Sequence, residues 1–369
     1  MIPVINLWEE HEALMPAFLG VFRDMMEKSA FIGGEGVRAF EQNLGAYLGS
    51  RHVVSCANGT DALQIAYMAL GLVAGDEVVV PDFNYIAAAE AAAVLGITVV
   101  LADVCPHTFC ITPQTLQNAL TPNTKAVVVV HLFGQCADMQ PILSLCQSHK
   151  IAVIEDAAQS LGAEYTFTDG TRQKAGTMGD VGTTSFFPTK NLGGLGDGGA
   201  IFTKHDDLAP KIRQICNHGQ TQKYQHQRIG LNSRLDNMQA AFLDIKLKNL
   251  DENIEKRQKI ADFYDQELKN IVATPHKLPQ STHTYNQYTI ILAERNALKS
   301  FLEQKQIATM VYYPLSLQQQ NALKHIAHFN ANETSHALTQ GCLSLPISPS
   351  LTTAQQEIIC QEIKIFFKS

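Results

Sequence analysis

Residues 153–160 read VIEDAAQS, and residues 185–193 read SFFPTKNLG. The first stretch continues an apolar run, residues 151–154, that ends in carboxylates. Such a run is typical of a buried parallel strand whose last side chains reach the edge of an α/β sheet. The sequence therefore predicts that Asp156 holds a charge at the mouth of a sheet, and the second stretch places Lys190 among apolar neighbours.

Asp156 and Lys190 together favour pyridoxal phosphate chemistry. A lysine among apolar groups can have its pKa lowered enough for the amine to act as a nucleophile. An acid that pairs with the pyridinium nitrogen and a lysine that bonds to the aldehyde are the protein groups that this cofactor most requires. Taken singly, Asp156 also fits a helix cap, a turn residue or a magnesium ligand, and Lys190 fits a solvated surface lysine. The combination is what indicates the cofactor.

A third motif supplies a phosphate site. Residues 58–60, Asn-Gly-Thr, follow a short apolar strand at residues 52–56 and open a periodic apolar segment at residues 62–70 that predicts a helix. Backbone N–H groups at a helix start, together with the Thr60 hydroxyl, bind phosphate well. Asn58 and Thr60 can also act as helix caps, which is compatible with phosphate binding.

Strand and helix patterns alternate from about residue 52 to residue 203, which predicts an α/β fold with a mainly parallel sheet. Strands are expected at residues 52–56, 77–80, 98–102, 126–130, 151–154, 183–187 and 200–203. Helices are expected between them at residues 62–70, 87–95, 113–120 and 139–149. A long amphipathic segment, residues 238–268, is expected to bridge to a smaller C-terminal α+β part, which has a strand at 288–292 and helices at 297–304 and 353–367.

Composition indicates a soluble enzyme. The chain has 369 residues, with 28 basic and 35 acidic side chains, a balance that argues against a general nucleic-acid or membrane-surface binder. No apolar stretch is long enough to span a bilayer and no signal peptide is recognisable, so the cytoplasm is expected. The eight cysteines lack paired metal-site spacing and are expected to be reduced core thiols, with no bound metal.

Seven ordered stretches resemble the pyridoxal-phosphate-dependent sugar-nucleotide aminotransferases of type I fold, which aminate keto sugars in bacterial glycan synthesis. They are residues 58–63, 81–87, 130–139, 153–165, 179–201, 218–219 and 230–241. The resemblance implies a large domain, residues 1–245, with a mainly parallel seven-stranded sheet between helices and with residues 1–50 packed on it. It also implies a smaller C-terminal α+β domain, residues 246–369.

The resemblance also implies roles at the cofactor. Lys190 matches the Schiff-base lysine, which then moves the proton between substrate and cofactor as general base and acid. Asp156 matches the partner of the pyridinium nitrogen, and Gln159 the group that hydrogen-bonds the phenolic oxygen. The remaining cofactor contacts are the phosphate-binding Gly59, Thr60 and Ser185, and Tyr85, which stacks on the ring unless it is simply a core residue.

On the substrate side, Asn232 matches a residue that reaches the partner subunit's cofactor phosphate, which implies a homodimer with shared active sites. Arg234 is expected either to bind an anionic part of the substrate or to form an ion pair with Asp236 or Glu252. Substrate contacts are also expected from His218, Tyr312 and Tyr313. The loop at residues 311–318 departs from the family pattern at Tyr312, Ser316 and Gln318, so the family's sugar specificity does not carry over to this loop.

The nearest resemblance is to enzymes that aminate C3 of a nucleotide-linked hexose. The expected substrate is a UDP-linked 2-acetamido-3-keto hexuronate, with glutamate as amine donor, in bacterial surface-glycan synthesis. A dTDP-linked 3-keto-6-deoxyhexose and a C4-keto sugar are the alternatives.

Other classes of protein fit the sequence less well. Residues 194–199 match a dinucleotide-binding glycine pattern, but they precede a strand instead of opening a helix. The glycine-rich loop that a phosphate-loop ATPase requires is missing. Sugar dehydratases of this fold replace the lysine with histidine, and a non-catalytic regulatory member would be expected to have lost Asp156, Ser185 or Lys190.

Overall fold

The computed structural model describes residues 1–329 and 332–368. These residues contain thirteen α-helices. They are α1 (Leu7–Glu12), α2 (Met15–Lys28), α3 (Glu35–Leu48), α4 (Gly59–Leu70), α5 (Ala87–Val94), α6 (Pro113–Ala119), α7 (Met139–His149), α8 (Leu208–Ile215), α9 (Asn237–Leu247), α10 (Leu250–Leu268), α11 (Arg295–Gln304), α12 (Glu333–Gly341) and α13 (Thr353–Phe366).

The described residues also contain fourteen strands. They are β1 (His52–Cys56), β2 (Glu77–Pro81), β3 (Thr98–Ala102), β4 (Thr124–Val130), β5 (Ala152–Asp156), β6 (Glu164–Thr166), β7 (Arg172–Lys174), β8 (Val181–Ser185), β9 (Gly199–Thr203), β10 (Gln220–Gln222), β11 (Gln225–His226), β12 (Tyr288–Ile291), β13 (Ala327–Phe329) and β14 (Cys342–Leu345). Three pairs of strands, β6–β7, β10–β11 and β12–β14, form small two-stranded sheets.

The main sheet has the order β1-β9-β8-β5-β4-β2-β3-β13. Strand β9 runs antiparallel to both of its neighbours, and the pairs from β8 to β13 are parallel. Strand β2 is buried along its whole length, and β4 and β5 nearly so, because helices cover both faces of the sheet. The expected α/β fold with a mainly parallel sheet is confirmed.

Among the described residues the sheet has eight strands, one more than the seven expected. The seven predicted strands are all present, and β13 adds an eighth beside β3, with Ala327 opposite Val99. This strand covers an edge that would otherwise leave a row of N–H and C=O groups unpaired. Its three residues, Ala-His-Phe, are too few for an alternation of apolar and polar side chains to predict a strand.

The long amphipathic segment at residues 238–268 consists of two helices. Helix α9 ends at Leu247 and α10 begins at Leu250, because Asn249 leaves the helical conformation at φ −105° and ψ 4°. Strand β8 also ends at Ser185, two residues before the predicted end, where the Ser185 hydroxyl accepts a hydrogen bond from the Phe187 N–H at 3.2 Å.

Three hydrophobic clusters pack around this framework. The largest fills the space between the sheet and its helices, and a second joins α3 with α9 through residues such as Phe40, Leu44 and Leu243. The third lies in the C-terminal part, between α10, α11, α13 and the β12–β14 pair. The chain start reaches this part as well, since Ile2 pairs with Ile307. The division at residue 245 stays a prediction.

Within residues 1–329 and 332–368, no helix combines the length and the apolar character that a membrane crossing requires.

Candidate active site

Asp156 and Lys190 lie close enough to interact electrostatically at one edge of the sheet. Asp156 ends β5, is buried, and its Oδ1 accepts a hydrogen bond from the Ala158 N–H at 2.9 Å. Burial raises the pKa of Asp156, and this hydrogen bond and the Lys190 charge oppose the rise. Burial lowers the pKa of Lys190 against the attraction of Asp156. A lysine with a lowered pKa offers more neutral amine for nucleophilic attack.

Gly59 and Ser185 form a tight cradle. A Cβ atom added to Gly59 would lie 2.7 Å from the Ser185 Cβ, so the backbone of α4 approaches this serine more closely than any larger residue permits. Asn58 caps the helix, because its Oδ1 accepts the Asp61 N–H at 2.8 Å and its carbonyl accepts the Ala62 N–H at 3.1 Å.

This capping leaves the N–H groups of Gly59 and Thr60, at the first two positions of α4, without a partner inside the helix. An anion beside Ser185 would meet both N–H groups, the positive end of the helix dipole and a hydroxyl. The cradle therefore fits a phosphate group.

Gln159, Tyr313 and Tyr85 are neighbours. The Gln159 Nε2 donates to the Tyr313 hydroxyl at 3.0 Å, and its Oε1 accepts the Phe133 N–H at 2.8 Å. The rings of Tyr85 and Tyr313 have their centroids 6.4 Å apart. Tyr85 is 58% exposed, which removes the interpretation of this residue as core and leaves its ring available to a ligand. Tyr312 packs edge-on against Tyr313, with their ring centroids 5.9 Å apart.

Asn232 and Arg234 line a separate cleft with a volume of about 580 Å³. The lining includes Asn58, so this cleft adjoins the phosphate cradle. The Arg234 guanidinium donates to Asn217 Oδ1 at 3.2 Å. In the described part of the chain it forms no ion pair with Asp236 or Glu252, the latter being paired with Lys256 instead.

His218 is exposed and belongs to the same region as Asn232. Its backbone N–H donates to the Leu231 carbonyl at 2.8 Å, next to the bridge between Asn217 and Asn232. Within one chain, the structure thus gives two groups of predicted residues. The first group contains Asp156, Lys190, Gln159, Tyr85 and the pair Tyr312 and Tyr313. The second group contains Asn232, Arg234 and His218, and the Gly59–Ser185 cradle lies between the two groups.

The sequence did not single out three buried groups beside this site. His131 and Glu155 form a pair with His131 Nε2 and Glu155 Oε2 2.8 Å apart, and Asp82 accepts the Gln318 N–H at 2.7 Å. Each lies within the last two positions of a parallel strand or just after them, as Asp156 does. That position at a strand end is the signal that could have identified them.

An acid at a strand end, a lysine with a lowered pKa and a helix-start anion cradle define an α/β enzyme of the phosphate-cofactor, amine-transferring class. Residues 14–364 match the DegT/DnrJ/EryC1/StrS aminotransferase family, and the chain belongs to this family. The expected family is confirmed, and the chain is an aminotransferase.

Curated relatives align over nearly their whole length. The UDP-2-acetamido-2-deoxy-3-oxo-D-glucuronate aminotransferase of Pseudomonas aeruginosa is 42% identical over 98% of this chain and 99% of its own. A protein of Geobacillus stearothermophilus named as a pleiotropic regulatory protein is 40% identical over 100% of this chain and 99% of its own.

Solved structures have the same fold. A family aminotransferase from Brucella abortus is 35% identical, with a TM-score of 0.94 and 100% coverage of both chains. NtdA from Bacillus subtilis with bound cofactor PMP is 30% identical, with a TM-score of 0.89 over 99% of this chain and 83% of its own.

Proposed function

We propose that this protein is a pyridoxal-phosphate-dependent aminotransferase that aminates C3 of a UDP-linked 2-acetamido-3-keto hexuronate. The observation that carries the proposal is the pairing of Asp156 with Lys190 beside the Gly59–Ser185 cradle. One site thus offers a ring partner, an amine and a phosphate anchor at once. The uronate aminotransferase relative, 42% identical over nearly the full length, supports this substrate.

When bound, the cofactor supplies an aldehyde that accepts the amino group and a ring that delocalises negative charge. The phosphate would be held by the N–H groups of Gly59 and Thr60 and the hydroxyls of Thr60 and Ser185. Asp156 would hold a proton on the ring nitrogen, since a carboxylate beside that nitrogen stabilises its protonated form. The exposed ring of Tyr85 would cover one face.

Lys190 would act twice at this site. Its burial lowers its pKa, so the neutral amine that bonds to the cofactor is available. Once the amine of the donor, glutamate, has displaced it, Lys190 would be free to move protons, first at the donor carbon that loses the amino group and then at C3 of the sugar that receives it. Gln159 would donate to the phenolic oxygen, because its amide oxygen is already occupied by the Phe133 N–H and its nitrogen faces the site.

Arg234 is the proposed partner for the uronate carboxylate. It is exposed, and its hydrogen bond to Asn217 leaves other guanidinium N–H groups for an anion. Losing one charge-assisted contact corresponds to about 1.5–3 kcal/mol. The Arg234→Met variant should therefore lose activity on the uronate, and should lose much less on the matching neutral sugar. Equal losses on both sugars would remove Arg234 from this role.

The homodimer is also proposed. Two apolar side chains that precede Asn232 in the chain are unusually exposed, Tyr224 at 82% and Ile229 at 85%, and Ile32, at 58%, lines the cleft itself. Exposed apolar side chains of this kind favour association with a second copy. Asn232 and Arg234 would then face the partner's cofactor. The same proposal includes glutamate as the amine donor, a role in surface-glycan synthesis, and a cytoplasmic location.

The first test is chemical. The purified protein should be yellow, and borohydride should attach reduced cofactor to Lys190, as peptide mass spectrometry would show. Lys190→Ala should lose the label, whereas Lys125→Ala, at an exposed position of β4, should keep it. Label retained in Lys190→Ala contradicts the assignment.

The second test is a substrate panel. UDP- and dTDP-linked 3-amino and 4-amino sugars are supplied with 2-oxoglutarate, and the loss of the yellow band and the formation of glutamate are followed. The 3-amino uronate should react fastest. If it is inert while a 3-amino-6-deoxyhexose reacts, the sugar is wrong, and if only 4-amino sugars react, the carbon is wrong.

A regulatory protein without catalysis is the second candidate, favoured by the name of the Geobacillus stearothermophilus relative. A protein that binds no cofactor and turns over none of these sugars would support it. The presence of Asp156, Ser185 and Lys190 in one site favours the enzyme.

A further inference from the structure

Glu155 is a buried carboxylate directly before Asp156. Its side chain is fully buried and accepts three backbone hydrogen bonds, from the N–H groups of Gly176 at 2.9 Å, Met178 at 2.6 Å and Gly179 at 2.5 Å. A fourth contact comes from His131, whose Nε2 lies 2.8 Å from Oε2. With its lone pairs so occupied, this carboxylate is rigidly held.

The partners of His131 determine which of its nitrogens carries the proton. The Ala137 N–H points at Nδ1 from 3.1 Å, and an amide can only donate. Nδ1 is therefore the acceptor, and the proton is on Nε2, from which it is donated to Glu155. Because both nitrogens are committed, the imidazole ring has one orientation.

The imidazole thereby connects the first and last residues of the loop from His131 to Ala137. This loop contains Phe133, whose backbone adopts φ +61°, a conformation uncommon for a residue with a side chain. The Phe133 N–H donates to Gln159 Oε1 at 2.8 Å. Because the Phe133 N–H needs an acceptor, it holds the amide oxygen of Gln159 towards itself. The amide nitrogen, Nε2, is then directed towards Tyr313.

We propose that His131 and Glu155 form a positioning pair, which holds the loop at residues 131–137 so that Phe133 orients the Gln159 amide at the cofactor. This inference rests on the proposed function, because it is the proposed function that gives Gln159 its role at the cofactor. His131 and Glu155 act through Gln159 and touch neither substrate nor cofactor. The His131 backbone N–H also donates to the Asp156 carbonyl at 3.1 Å, so the start of the loop, directly after β4, is hydrogen-bonded to the end of β5, which carries the ring partner.

The test uses two variants of His131, each of which is designed to keep one of its two side-chain hydrogen bonds. In His131→Gln the amide nitrogen can take the place of Nε2 and reach Glu155, but the amide oxygen does not occupy the position from which Nδ1 accepts the Ala137 N–H. In His131→Asn the amide oxygen can take the place of Nδ1 and accept from Ala137, but the shorter side chain does not bring its NH2 group to Glu155. The matched control is His205→Gln, because His205 forms the same kind of pair with Asp180, at 3.1 Å, outside the site.

Three quantities are measured. They are the melting temperature of the apoprotein, the dissociation constant for pyridoxal phosphate from a spectral titration, and the pH midpoint of the visible band. A donor on the phenolic oxygen favours loss of the proton shared with the Lys190 nitrogen, so misplacing Gln159 should raise this midpoint by roughly one unit. Both His131 variants should also bind the cofactor about tenfold more weakly, while His205→Gln matches the wild type.

The double variant separates positioning from general destabilisation. In a Gln159→Ala background, His131→Gln should move the pH midpoint no further, because the group through which it acts is gone. A full additional shift overturns the proposal, and so does a wild-type midpoint in both His131 variants. A wild-type protein that takes up no cofactor would instead contradict the proposed function itself.

Discussion

Asp82 should make the stability of this protein depend on pH in an unusual direction. Its side chain is fully buried at the end of β2, and within residues 1–329 and 332–368 no cation lies within ion-pair distance of it. Burial raises the pKa of Asp82 from its usual 3.8 to about 6, although the Gln318 N–H opposes the rise. The native protein therefore keeps a proton here at pH values at which the unfolded chain has lost it.

The size of the effect follows from the shift. About two units correspond to about 3 kcal/mol, a stabilisation that is complete below pH 4 and is lost as the pH rises through 6. The Asp82→Asn variant removes the titration and keeps an oxygen for the Gln318 N–H. The difference in unfolding free energy, variant minus wild type, should therefore increase with pH, with roughly half of the change between pH 5 and pH 7.

Urea unfolding of the apoproteins, at one protein concentration and at several pH values from 5 to 8, measures this difference. Asp169→Asn is the flat control, because hydrogen bonds from Thr171 lower the pKa of the exposed Asp169 below its usual 3.8. This carboxyl is therefore ionised in the folded and the unfolded chain throughout pH 5–8, and the difference between its variant and wild type should not change across that range. A difference for Asp82→Asn that stays flat from pH 5 to 8 refutes the reasoning.

Three further predictions concern packing. Gly59→Ala should weaken pyridoxal phosphate binding in a spectral titration, because its Cβ would lie 2.7 Å from the Ser185 Cβ. The control is Gly20→Ala, whose Cβ would have nothing within 4 Å. It should stabilise the protein by about 0.5–1 kcal/mol and leave cofactor binding unchanged. Tyr67→Phe should cost about 1 kcal/mol in urea unfolding, since its buried hydroxyl donates to a backbone carbonyl of α5 at 2.8 Å. Leu298→Ala, in the C-terminal cluster, should cost about 2–5 kcal/mol, and a smaller loss in the same assay would show that the cluster collapses around the cavity.

The cofactor side of the site was predictable because it depends on local sequence. An apolar run followed by a carboxylate places Asp156, and a cap followed by a helix pattern places Gly59, without knowledge of distant residues. The alternation of strands and helices then requires the ends of parallel strands to meet at one edge. For this reason Asp156 and Gly59 could be expected at one edge of the sheet, and Lys190, five residues after the end of β8, could be expected beside them.

The features that sequence did not predict depend on distant or weak signals. Strand β13 forms because a free sheet edge is available, which three residues cannot reveal. The break between α9 and α10 falls at Lys248 and Asn249, where no proline or glycine interrupts the amphipathic pattern. The partner of Arg234 is Asn217, which the bridge to Asn232 brings into range. Of the two alternatives for Arg234, the ion pair with Asp236 or Glu252 is therefore not found among the described residues.

The two sides of the site have different origins in the fold. Asn58, Asp82, His131, Asp156 and Ser185 all lie at the end of, or within two residues after, strands that run in the same direction, so the sheet itself gathers them. The opposite wall comes from residues 311–318, which bond to Asp82 through Leu317 and Gln318 and carry the tyrosine pair. Changes within that loop can therefore alter what the site accepts while the strand ends that would hold the cofactor stay in place.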